Sequence, residues 1–142
     1  MMIKREIVEY IRTFVRDDCE ANDRVERVLD REGWGGRFAS FLAAVFLYAI
    51  NRRFGSRWNQ SEVIHFVADM RAANPVLAQV DPRVAEAGIR AALDPAAELN
   101  VPVAELVRMQ IVAIQHAVAA LDMTDSDLDE LLHKAELLAS RK

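Results

Sequence analysis

An all-α fold is what this sequence predicts, and three observations predict it. Apolar residues recur at spacings of three and four along nearly the whole chain, which gathers them on one face of a helix. β-Branched residues never alternate with polar ones over the length of a strand. Only five Gly and four Pro punctuate the 142 residues, so regular structure has few places where it must stop. The expectation is a single domain over residues 1–142, a compact bundle of five to seven helices.

Ile3, Ile7, Tyr10, Ile11 and Phe14 form the stripe of the first helix. Val25, Val28 and Leu29 resume it beyond the polar residues 16–24. One long helix satisfies this spacing, as do two helices with a break at Asp23, which makes a capping-box pattern with Glu26 three positions on. Gly33, Gly35 and Gly36 around Trp34 then give the backbone too much freedom for a helix, so a turn with an aromatic plug is expected. The next helix, residues 37–54, ends at Gly55, where a left-handed cap belongs.

Asn59 and Glu62 repeat the capping-box pattern and open a helix of Val63, Ile64, Phe66, Val67 and Met70. It stops before Pro75, because a proline pushes the residue ahead of it out of helical conformation. Asp81 and Pro82 supply the cap and first turn of a short helix, in which Ala85, Gly88 and Ala92 let a neighbouring element approach closely. Asn100, with Pro102 just inside, is expected to cap the longest stretch, residues 102–121. Thr124, Asp125, Asp127 and Asp129 open the last helix, residues 128–139, with negative charge at the positive end of its dipole.

The helices at about residues 37–54 and 102–121 are apolar on most of their circumference and should sit centrally. So few outer helices have much to cover, and a second copy of the chain is expected over one face, giving a homodimer. The longest uncharged apolar run, residues 38–50, is shorter than the roughly 20 residues that cross a bilayer, so no membrane span is expected. The single Cys19 fits a reducing compartment and the N-terminal residues lack the pattern of an export signal, so the expected location is the cytoplasm.

Eighteen basic against twenty-two acidic residues leave a net charge of -4, a field that repels polyanions and argues against nucleic acid as a partner. Basic function must therefore be local. Residues 33–60 contain Arg37, Arg52, Arg53 and Arg57 and no acidic residue. Arg52, Arg53, Arg57 and Trp58 are the candidate binding patch: guanidinium groups beside rings hold phosphates and stack bases, or anchor a protein partner. The competing role is structural, with arginines opposing the helix dipole and rings filling a helix junction.

Glu-x-x-His occurs twice, as Glu62/His65 and Glu130/His133, and two such pairs with two further carboxylates are how helical bundles build dinuclear metal sites. The apolar neighbours Val63, Phe66, Leu131 and Leu132 turn both pairs toward water, however. Asp125, Asp127, Asp129 and Glu136 match four calcium-loop positions, but Glu130 stands where that loop needs Gly. His116, within a central helix, is expected to be partly buried and bonded to a carbonyl, without a local nucleophile to activate. The expected function is a non-enzymatic interaction module without cofactor, self-associating or binding a protein. Behind it stand a nucleic-acid or phosphate binder and then a metal-binding bundle.

Overall fold

The computed structural model describes residues 3–97 and 99–141. Among them the chain forms seven α-helices and no strand: α1 (Arg5–Val15), α2 (Cys19–Glu32), α3 (Phe38–Phe54), α4 (Gln60–Ala73), α5 (Pro82–Leu93), α6 (Val103–Ala120) and α7 (Asp125–Ser140). A short 3-10 helix, Pro75–Gln79, links α4 to α5. The all-α bundle expected from the periodicity is the fold.

The first break lies earlier than the capping pattern at Asp23 suggests. Helix α1 ends in a Schellman motif: Asp17 takes a left-handed conformation (φ 57°), and the N–H groups of Asp17 and Asp18 donate to the carbonyls of Phe14 and Thr13. Asp18 then caps α2 by accepting from the Ala21 N–H. Asp23 and Glu26 lie inside α2. A short polar side chain tolerates the left-handed region better than most residues, which lets an Asp stand in for the usual Gly. The same motif ends α6, with Asp122 (φ 49°) in the left-handed position.

Two further boundaries differ from expectation. Asn100 caps nothing; Pro102, with extended backbone (ψ 131°), precedes the first turn of α6 and no side chain caps it. Helix α7 begins at Asp125, three residues earlier than its apolar stripe indicates, because Thr124 and Asp127 complete a reciprocal capping box. Elsewhere the caps are as read: Gly55 (φ 73°) ends α3, Asn59 accepts from the Glu62 N–H, and Asp81 accepts from the Arg83 N–H.

Helices α3 and α6 pack on each other at the centre, with α7 against α3, α5 against both and α1 against α6. Phe41, Leu42, Val45 and Ile50 of α3 and Met109, Ala113 and Ile114 of α6 are sealed from solvent. Fully burying one Leu- or Ile-sized side chain is worth about 1.5–3 kcal/mol, so this pair supplies much of the driving force for folding. Helix α6 is eighteen residues long with a mean hydropathy of 1.2, just enough to pass for a membrane span by length and composition; here Met109, Ala113 and Ala117 are core residues.

Helices α1 and α2 form a hairpin whose inner stripe is Ile7, Ile11 and Val15 with Leu29. Its turn into α3 is fixed by the expected aromatic plug: the rings of Tyr10, Trp34 and Phe38 meet edge to face with centroids 5.0–5.9 Å apart, and the Trp34 indole donates to Asp30. Arg12 and Arg16 of α1 reach the acidic start of α7, with nitrogen-to-oxygen distances of 2.8 Å to Asp129 and 3.0 Å to Asp125.

Candidate functional site

The two Glu/His pairs project into solvent. Glu62 and His65 on α4 and Glu130 and His133 on α7 are all exposed, and among the described residues no group of three or more His, Cys, Asp or Glu side chains has metal-binding geometry. The calcium-loop look-alike lies in unbroken helix. Its carboxylates answer arginines instead: Asp125 faces Arg16, Asp129 faces Arg12 and Asp127 faces Arg52.

The candidate patch at the end of α3 is dispersed by the helix itself. Arg52 turns toward α7 and stands 3.9 Å from Asp127. Its neighbour Arg53, about 100° further round the helix, lies over the rings of Phe54 and Phe66, 5.3 and 5.9 Å from their centroids. Arg57 is exposed in the following turn and Trp58 is half-buried against the core. Arg37, the fourth arginine of the acid-free segment, donates to the Ala139 carbonyl and ties α3 to the end of α7.

Arg53 instead belongs to a polar cavity of about 370 Å³ between α4 and α6, which gathers Glu62, His65, Asp69 and His116 over the ring of Phe66. The His116 ring meets Phe66 edge-on with centroids 4.9 Å apart, and no carbonyl among the described residues accepts a hydrogen bond from it, contrary to the expected pairing. Burial is the main force holding its pKa below 6.5; Arg53 pushes the same way and Asp69 opposes both. The cavity therefore places the His65 and His116 imidazoles beside a guanidinium and two carboxylates. Sequence periodicity could not reveal it, because its walls come from segments more than forty positions apart.

Cys19, the single thiol, is exposed at the start of α2 and faces Asp17, whose charge raises its pKa and disfavours the nucleophilic thiolate.

A second concavity lies beside α3. Helices α3, α5, α6 and α7 enclose a groove of about 490 Å³, and none of the described residues that line it is charged. Small side chains make the room: Ala39, Ser40, Ala43 and Ala44 from α3 face Gly88, Ala91 and Ala92 from α5. Ala39, Ser40, Ala43 and Leu47 form an exposed strip on the otherwise buried α3, and exposed Leu99 stands at the rim. Gln110 of α6 borders the groove from inside the bundle. It is the one buried polar residue among the described residues, only 8% exposed; no partner among them meets its carboxamide, whose polar atoms are not sealed from solvent. Comparison with protein-family models, curated proteins and solved structures finds no match.

Proposed function

We propose that this chain is a non-catalytic helical binding module that works by self-association, with a second copy covering the charge-free strip of α3. The observation that carries this reading is the exposure of Ala39, Ser40, Ala43 and Leu47 on a helix whose Phe41, Leu42, Val45, Ala49 and Ile50 are core. A two-fold contact lays each residue against its own counterpart or near neighbours, so a charged strip would repel itself and an uncharged one does not. With a net charge of -4 the copies repel over most of their surface, which favours the strip as the face of approach. Its small residues let two α3 helices come close, and the rim residue Leu99 adds apolar area to the contact.

Sedimentation equilibrium at micromolar concentration tests this. The mass of two chains is expected for the natural sequence and the mass of one for Ala43→Glu, with an unchanged helical spectrum. A single-chain mass for the natural sequence overturns the reading. The arginine patch receives no comparable support, since Arg52 and Arg53 leave α3 in different directions and Arg52 faces an acidic partner.

A further inference from the structure

The groove beside α3 holds about 490 Å³, and on its inner wall the Gln110 carboxamide has no partner among the described residues. We infer that the groove is a binding site for an uncharged, mainly apolar small molecule with a single hydrogen-bonding group, such as a hydroxyl or amide, which the Gln110 carboxamide meets. Three observations converge on this class of ligand.

The cavity of about 490 Å³ falls in the range of small-molecule pockets, roughly 300–1,000 Å³, and like them is mostly apolar with few polar groups. Gln110 is the second observation. Its carboxamide offers both a donor and an acceptor, the residue is nine-tenths buried, and no partner among the described residues meets the carboxamide, whose polar atoms are not sealed from solvent and so are free to bond what enters the groove. Third, the described lining is free of charge, so a carboxylate, phosphate or ammonium would enter unpaired and be rejected. Glycine and alanine on facing helices, Gly88 and Ala91 against Ala43 and Ala44, hold the space open where larger side chains would close it.

The cavity is complete within one chain, so the inference does not rest on self-association. The test uses the neutral fluorophore N-phenylnaphthylamine as probe, with decanol and decanoate as competitors of equal chain length. Saturable uptake of one probe per chain is expected. Decanol should displace it at concentrations at least about tenfold below those of decanoate, the discrimination expected for an unpaired buried charge. Ala43→Trp places an indole in the mouth from an exposed position and should abolish uptake; Ala91→Phe should do the same from the opposite wall. Gln110→Leu should keep the probe but weaken decanol about tenfold, as expected for a lost hydrogen bond in a buried site.

No saturable uptake, uptake unchanged in both filled variants, or decanoate competing as well as decanol would overturn the inference. Because a second copy over Ala43 would close the mouth, uptake is read on samples diluted until sedimentation shows single chains: single chains that take up no probe sink the ligand site, and chains that are already single at micromolar concentration sink self-association.

Discussion

Gly88 of α5 lies so close to Met109 of α6 that a Cβ at position 88 would overlap the Met109 methyl, and it would stand only 3.2 Å from Leu106 Cδ1. The glycine is thus the point where α5 presses against α6, and it forms part of the groove wall. The obstructing atoms are the ends of flexible side chains, which gives the position graded tolerance. Gly88→Ala gains helix propensity of about 1 kcal/mol and should leave stability within about 1 kcal/mol of the natural chain. Gly88→Val adds two methyls more and should cost about 1–3 kcal/mol through overpacking. Urea unfolding of the two variants checks the contrast.

Gln110 gives a stability prediction of opposite sign to most core changes. Its carboxamide has no partner among the described residues, so Gln110→Leu breaks no bond to them and adds apolar surface to a mostly buried position. The urea midpoint should stay level or rise, by up to about 1 kcal/mol in stability. A loss larger than that would mean the carboxamide holds the helices together.

The first helix break can be located by capping. Asp18 accepts from the Ala21 N–H while Asp23 lies inside α2, so Asp18→Ala should cost about 1 kcal/mol and Asp23→Ala less than about 0.5 kcal/mol. Thr124→Ala, which opens the capping box of α7, should cost about 0.5–2 kcal/mol. Equal losses at positions 18 and 23 would contradict the boundary.

His116 makes stability depend on pH with a defined sign. Burial, with help from Arg53 and against the pull of Asp69, holds its folded pKa below the 6.5 of the unfolded chain. The unfolded chain therefore binds the extra proton more readily, so this contribution is complete above about pH 6.5 and is lost as the pH falls through the folded value. The urea midpoint should drop on acidification through that window, and less so in His116→Gln. Proton NMR of the His116 ring should place its midpoint below 6.5, lower still in Asp69→Asn and higher in Arg53→Gln. A midpoint at or above 6.5 would contradict the burial described.

Much of the fold was legible in the chain because helices write their period into it. The stripes of α1, α4 and α5, the glycine and proline boundaries, and the central place of α3 and α6 all followed from spacing and punctuation. The missed boundaries share a cause. Asp17 ends α1 in a conformation for which Gly is the usual signal, and Asp23 carries a cap pattern that its position within α2 makes irrelevant. The candidate site was less legible. Arg52 and Arg53 are adjacent in sequence, yet successive helix positions point about 100° apart and the arginines serve different surfaces. The groove left only a faint trace: the alanines of α3 read as ordinary core, and nothing local marks Gln110 as unpaired, because its surroundings come from other helices.

Cross-linking at the middle of the α3 strip measures self-association most directly. In a Cys19→Ser background, Ala43→Cys places one thiol on the exposed face, and a disulfide requires the two Cα atoms to come within about 7 Å. Mild oxidation at micromolar protein should join most chains into covalent pairs, while a cysteine at exposed Ser61 of α4 should not. Chains that stay single with Cys at position 43, or that pair equally well through position 61, would contradict a two-fold contact on α3.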